Sequence, residues 1–187
     1  MRIIGGEARG RRLFAPDGTD TRPTADKTRE SLFSIIAFDI PEARVLDLFG
    51  GTGALALEAL SRGAQFAAVS DVSPAAIKAI EKNAATVLGD KVKERIRILK
   101  ADYKKALSLL NGLSFDIVFL DPPYKLKDSY SDAVKKMIEL NLLSDECLII
   151  MERSKDISIE LDERMKIFDT RIYRDTAIDF AGWRKES

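Results

Sequence analysis

The chain has no histidine and one cysteine, Cys147, among its 187 residues. Without an imidazole, neither a Ser-His nor a Cys-His nucleophile system can be built, and no histidine-ligated zinc. A lone cysteine excludes an internal disulfide and a cysteine metal cage, so no metal is expected. An excess of charge of one sign is also missing, because thirty Lys+Arg balance thirty Asp+Glu. No whole-molecule field draws the chain to nucleic acid, and any such contact must come from a local basic patch. No stretch approaches the roughly 18 apolar residues of a membrane span, and the opening Met-Arg-Ile-Ile-Gly-Gly-Glu has no apolar signal core. Repeats and low-complexity tracts are lacking too.

What remains is a globular composition. Hydrophobic residues make up 45% and charged residues 32%, which separates the chain from disordered sequences. Its length suits one domain burying roughly 70% of its unfolded surface. A monomeric, cytoplasmic protein without membrane contact is expected, with chemistry resting on Asp, Glu, Lys, Tyr, backbone or a borrowed cofactor.

Short apolar runs alternate with helical patterns. Strands are expected at residues 45–49, 66–71, 96–99, 115–120 and 147–151. Between them, helices are expected at 54–60, from Ser73-Pro74 to Gly89, from an Asp102 cap to about 111–112, and after a capping box at Ser129-Tyr-Ser-Asp132. This alternation implies right-handed crossovers and an α/β fold: a doubly wound, mostly parallel sheet. Residues 165–180 then alternate like two strands joined by a tight turn near Asp175, an antiparallel C-terminal edge pair. Residues 1–44 fit neither pattern. They read as a small N-terminal extension packed on the core, a basic hairpin followed by a helix that Thr24 can cap, with residues 45–187 as the main domain.

Two motifs carry chemistry. Asp47-Leu-Phe-Gly50-Gly51-Thr52-Gly53 lies where a buried strand gives way to a helix, so a ligand can approach the backbone closely and meet free N–H groups. Asp71 ends the next strand, where a carboxylate can accept from a ribose diol. Gly51-Thr-Gly53-Ala-Leu-Ala56 also satisfies a dinucleotide pattern. Asp47, however, repels a pyrophosphate and suits an ammonium, which favours S-adenosylmethionine over NAD. Asp102 could accept from an adenine amine or simply cap its helix.

The second motif is Asp121-Pro122-Pro123-Tyr124, after the fourth strand. Two prolines cannot continue a central strand and force a stiff extended exit. The Asp121 carboxylate and the Pro122 carbonyl can hold both N–H bonds of a nucleobase amine, and Asp121 stabilises positive charge developing on nitrogen. Tyr124 offers a stacking face worth about 1–3 kcal/mol.

These motifs resemble class I S-adenosylmethionine-dependent methyltransferases with their Rossmann-like fold. Together with the opening Met-Arg-Ile-Ile-Gly-Gly-Glu-Ala-Arg-Gly-Arg-Arg-Leu, with Thr21-Arg-Pro-Thr24 and with Arg29-Glu-Ser-Leu-Phe33, the chain more narrowly resembles the RsmD family. That family methylates the N2 amine of one guanine in small-subunit (16S) ribosomal RNA. The resemblance implies cofactor contacts from Asp47, Phe49, Gly51, Gly53, Asp71, Asp102 and Thr24, and guanine contacts from Asp121, Pro122, Pro123 and Tyr124. The family usually carries alanine where Gly50 stands. Arg2, Arg9, Arg11, Arg12 and Arg22 would form a patch for RNA phosphates, free or within a small-subunit assembly particle. Adenine-N6 or cytosine-N4 methylation, and a non-catalytic RNA-binding assembly factor, remain alternatives.

Overall fold

A computed structural model describes residues 1–15, 23–123 and 128–184, with backbone alone for 23–25. Its elements are α1 (Pro23–Ile35), β1 (Arg44–Asp47), α2 (Ala54–Ser61), β2 (Phe66–Asp71), α3 (Pro74–Leu88) and α4 (Val92–Arg95). There follow β3 (Ile96–Lys100), α5 (Tyr103–Leu109), β4 (Phe115–Leu120), α6 (Ser129–Glu139), β5 (Leu143–Ser154), β6 (Met165–Tyr173) and β7 (Thr176–Trp183).

The seven strands form one sheet in the order β3-β2-β1-β4-β5-β7-β6. The first five are parallel, and β7 runs antiparallel to both β5 and β6. The order reverses between β1 and β4, the place where open α/β sheets leave a crevice beyond their carboxyl ends. Side chains alternate between the two sheet faces, as a two-residue repeat requires. Val45, Val69, Ile117, Phe119 and Ile150 pack with α2, α3, Leu32 and Phe33 of α1, Ile36 just beyond it, and Ile3, Ala8 and Leu13 of the N-terminal hairpin. Leu46, Ala68, Val118, Leu120 and Ile149 pack on the opposite face with α5 and α6. The hairpin closes through one antiparallel bridge, Arg2 to Arg12.

Several expected boundaries shift. β1 ends at Asp47, because Leu48 and Phe49 already turn into the glycine loop. β5 is longer than expected, since β7 pairs with it as far as Ser154. α5 stops at Leu109, with Gly112 beyond it at a φ of 86°. α6 begins at Ser129 with Asp128 in the cap position and no side-chain cap hydrogen bond from it, so the expected cap at Ser129 moves one residue earlier. α1 begins at Pro23, a favoured first helical residue, which puts Thr24 inside the first turn rather than at the cap. The short α4 has no expected counterpart. Ser73 caps α3 as expected, accepting from the Ala76 N–H at 3.4 Å with Pro74 following.

The end of β5 is clamped. Arg153 donates through Nε and Nη2 to both oxygens of fully buried Asp179 on β7, at 2.5 and 3.0 Å, and Thr170 of β6 donates to the same carboxylate at 2.6 Å. The remaining nitrogen of Arg153 reaches the Ile157 carbonyl at 2.6 Å. Removing one partner of such a buried pair leaves the other charge uncompensated. Asp179→Ala is therefore expected to cost about 3–5 kcal/mol in urea unfolding, and an Arg153→Met/Asp179→Leu double variant clearly less; equal losses would contradict an ionic origin.

Candidate active site

Register places the acidic residues. Asp47 pairs with Val69 and Phe119, while Leu120 pairs with Met151. Asp71 and Asp121 therefore stand two residues beyond Asp47 along the sheet, and Glu152 stands level with Asp121. All four share the face parity of Val45, Val69, Phe119 and Ile150. Two residues of strand amount to about 6.6 Å, so Asp47 lies one step beneath a row formed by the other three.

Above that row opens a cavity of about 580 Å³, lined by Phe49 and Gly51 of the loop, Asp71, Asp102 and Tyr103, the Asp121-Pro122-Pro123 turn and Glu152, among others. Its described lining contains four carboxylates and no lysine or arginine. The rings of Phe49 and Tyr103 lie 5.8 Å apart at 41°, an apolar wall at one end. No cluster able to ligate a metal occurs among the described residues, and no helix among them is long and apolar enough to cross a membrane.

The glycine loop is shaped by backbone hydrogen bonds. Gly50 N–H donates to the Ser70 carbonyl at 2.9 Å, and Gly53 N–H to the Gly50 carbonyl at 2.6 Å. Gly51, at φ 55°, has open space where a Cβ would stand, so the backbone there faces the cavity without a side chain between. Asp71 fixes both flanks: one oxygen accepts from Gly51 N–H at 2.9 Å and the other from Ser73 N–H at 2.8 Å. At Gly50 a Cβ would meet Val69 Cγ1 at 2.3 Å. The residue's smallness is thus a packing requirement here, not a source of looseness.

The expected residues fall into three groups. Phe49, Gly51, Asp71, Asp102, Asp121, Pro122 and Pro123 line the cavity. Asp47 and Gly53 do not: Asp47 is 2% exposed and Gly53, buried at φ 76°, starts α2. The expectation that Asp47 stands in the pocket is corrected to a carboxylate just behind its wall. Tyr124 and Arg22 lie outside the described residues, as does the side chain of Thr24. Asp102 caps α5, accepting from Lys105 N–H at 2.9 Å, while also lining the cavity. Sequence reasoning missed Tyr103 and Glu152. The signal for Glu152 was available in principle: it stands two residues past the buried Ile150 on the strand expected next to β4.

Burial pushes the Asp47 carboxyl up to about 7; the Phe49 N–H opposes that rise, the charge of Asp71 adds to it, and the Ala56 N–H opposes it. Asp121 is also raised, first by the protein crowded around it and then by the negative fields of Glu152 and Asp47. It is exposed, but into the cavity it lines. Glu152 is raised by burial.

The N-terminal hairpin is fastened to this loop. Buried Asn83 of α3 accepts from Phe14 N–H at 2.7 Å and donates to the Phe14 carbonyl at 2.8 Å and to the Thr52 carbonyl at 2.9 Å. Thr52 also donates to Met1 Sδ at 3.5 Å. Farther along the hairpin, fully buried Glu58 of α2 accepts from Ile4 and Gly5 N–H, each at 2.8 Å, and from Arg62 at 2.7 Å. Arg2, Arg9, Arg11 and Arg12 are all exposed, with Arg11 donating to the Thr86 carbonyl on α3.

Comparison with known proteins finds the family described as "Conserved hypothetical protein 95" over residues 1–181. The chain is 38% identical over 154 residues to ribosomal RNA small subunit methyltransferase D of Escherichia coli (strain K12), covering 81% of this chain and 74% of that protein. It is 34% identical over 157 residues to the protein of the same name in Haemophilus influenzae, covering 83% and 80%. The solved structure of Escherichia coli yhhF superposes with a TM-score of 0.83 at 31% identity, covering 100% of this chain and 99% of the other.

The raised Asp47 carboxyl has a measurable consequence. The folded state holds its proton between about pH 4 and 7, where the unfolded chain has released it, so stability falls as pH rises through that window. Asp47→Asn removes this dependence. The variant is expected to match the wild type near pH 4 and to exceed it by on the order of 2–4 kcal/mol at pH 8. Urea unfolding at both pH values checks this; parallel curves would mean that Asp47 does not titrate.

Proposed function

The chain belongs to the family described as "Conserved hypothetical protein 95" and to that of ribosomal RNA small subunit methyltransferase D, and from that premise we propose that it transfers a methyl group from S-adenosylmethionine to the exocyclic N2 amine of a guanine in small-subunit (16S) ribosomal RNA. The observation that carries this reading is the cavity itself: four carboxylates and an aromatic wall, with no lysine or arginine among the described lining residues.

That lining fits the donor. A dinucleotide brings a pyrophosphate, which four carboxylates repel, whereas S-adenosylmethionine brings an ammonium and a sulfonium and no phosphate. When bound, it supplies a methyl carbon made electrophilic by cationic sulfur. The Gly51 backbone, bare of any Cβ contact, admits close approach. Asp71 is placed for a ribose diol, with a lone pair left on each oxygen beyond its two backbone bonds. Phe49 and Tyr103 flank the adenine, and Asp102 is within its reach. Asp47, one step lower, adds negative potential behind the wall and braces the loop.

Asp121 and the Pro122 carbonyl then hold the acceptor amine. Accepting its two N–H bonds draws the nitrogen lone pair out of conjugation and aims it into the cavity. The Asp121 carboxylate stabilises positive charge growing on nitrogen and takes the proton that the nitrogen releases, an interaction preorganised for the transition state. The same turn would serve adenine-N6 or cytosine-N4 methylation. The family membership and the exposed arginines favour RNA. Arg2, Arg9, Arg11 and Arg12 serve phosphates there, a role also proposed for Arg22, and the substrate is naked RNA or a partly assembled particle. The enzyme acts in the cytoplasm as a monomer.

Two measurements test this. With a methyl-labelled donor and undermethylated small ribosomal subunits, naked ribosomal RNA and duplex DNA in parallel, label is expected on guanine N2 of the RNA. Label in DNA would reject the assignment. Asp121→Ala is expected to lower transfer by about 10²–10³-fold or more while cofactor affinity holds. Second, replacing Arg9, Arg11 and Arg12 with alanine should weaken RNA binding and flatten its salt dependence, by up to about 0.9 in the log–log slope per lost phosphate contact. Calorimetry should find S-adenosylmethionine affinity unchanged; a matching fall would place the hairpin in the cofactor site instead.

A further inference from the structure

One carboxylate of the cavity has no part in the reaction described above. Glu152 stands level with Asp121 on the neighbouring parallel strand, about 4.8 Å away across the sheet, and lines the same cavity beside Pro122. Its backbone is fixed on three sides. It pairs with Ile178 of β7, its carbonyl accepts from the Tyr130 hydroxyl, and the next residue is the clamped Arg153. Its half-buried carboxylate has no hydrogen-bond or ion-pair partner among the described residues. A rigidly held, unpartnered acceptor next to the amine-binding turn is placed to meet a donor on the substrate.

The bases with exocyclic amines differ in what lies beside that amine. In adenine the adjacent ring nitrogen N1 carries a lone pair, and so does N3 of cytosine. In guanine the amine is flanked by N1–H, a donor, on one side and by the N3 lone pair on the other, so only guanine can offer a second donor beside its amine. Resting on the methyltransferase reading above, we propose that Glu152 selects guanine: Asp121 and the Pro122 carbonyl take the N2 amine, and the Glu152 carboxylate accepts the neighbouring N1–H. Adenine or cytosine in the same pose would point a lone pair at a carboxylate in a cleft already rich in negative charge. Two carboxylates side by side repel each other, and an edge bearing adjacent N–H donors relieves that repulsion. The upward push of Glu152 on the Asp121 carboxyl is the same repulsion in the ligand-free site. Sites built around a buried hydrogen bond discriminate strongly against analogues that leave it unmade, more than apolar pockets do.

The test uses 2-aminopurine, which keeps the 2-amine but has a lone pair at N1. The guanine labelled by the wild type in undermethylated small-subunit RNA is mapped, and the same RNA is prepared with 2-aminopurine there. The wild type is expected to favour guanine in kcat/KM by about 10²-fold or more. Glu152→Gln keeps the shape and can turn an amide N–H toward a ring lone pair, so its preference should fall at least tenfold. Glu152→Ala should lose rate on guanine and little on 2-aminopurine. Losing the Glu152 charge lowers S-adenosylmethionine affinity by the same factor whichever base is offered, so rates are compared at saturating cofactor and the base ratio decides; if the alanine variant does not fold, the glutamine variant alone supplies that ratio. A guanine preference equal to wild type in the glutamine variant, or equal losses on both bases, would overturn the role of Glu152 while leaving guanine methylation standing. Failure of the wild type to label guanine would overturn both.

Discussion

Asp71, Asp121 and Glu152 stand at one level across β2, β4 and β5, with Asp47 one step beneath and Asp102 nearby on the cavity wall. Holding like charges together, with no basic residue among the described lining, is unfavourable, and in a buried setting the usual relief is retention of a proton. Burial raises the carboxyls of Asp47, Asp121 and Glu152 first, and the fields of neighbouring acids add to the rise at Asp121 and Asp47. The arrangement persists because the parallel sheet over-determines the positions: each acid is carried by a strand whose preceding residues are locked in the core. A cationic ligand entering from solvent removes the repulsion at once. Binding energy is thereby concentrated on charge, which is the feature that separates a sulfonium cofactor from other adenosine-containing molecules.

Around this acidic floor, the N-terminal hairpin behaves as part of the main structure rather than as an attached arm. Ile3, Ala8 and Leu13 belong to the same buried cluster as Val45 and Ile117. Glu58 and Ser61 of α2 satisfy backbone groups of the hairpin from Ile4 to Ala8. Asn83 makes three hydrogen bonds that join Phe14 to Thr52. The open end of a basic hairpin is therefore coupled through one buried amide to the loop that borders the cavity. A satisfied buried polar junction of this kind rigidifies what it joins, which ties the end of the hairpin to the glycine loop.

Much of this was legible because local and global signals agreed. The glycine loop, Ser73-Pro74, the Asp-Pro-Pro turn and the alternating apolar runs each specify one local conformation, and the sheet order follows from them. The places where sequence reasoning fell short all depend on register between strands, which no local pattern contains. Asp47 was expected in the pocket because it precedes the glycines; its depth becomes apparent only when it is paired with Val69 and Phe119. Glu152 looked like the polar end of an apolar run, since nothing local says that β5 brings it level with Asp121. The tight fit of Gly50 against Val69 is a contact between the loop after β1 and the neighbouring strand β2, far apart along the chain. At Ser129, a capping sequence and an alternative cap at Asp128 differ by one residue.

A neutral chain thus separates its charges: acids collect where the sheet ends, and arginines spread over the hairpin outside. Phosphates would be repelled from the cavity for the reason that a dinucleotide is, so an RNA strand cannot lie along its floor. Only the uncharged base can enter, and it must leave its stack to do so, at a cost of a few kcal/mol. Phosphate contacts on the hairpin can offset that cost without touching the reacting atoms. On the proposed reading, position along the RNA would fall to the basic face, and identity of the base to the acceptors at the ends of β4 and β5.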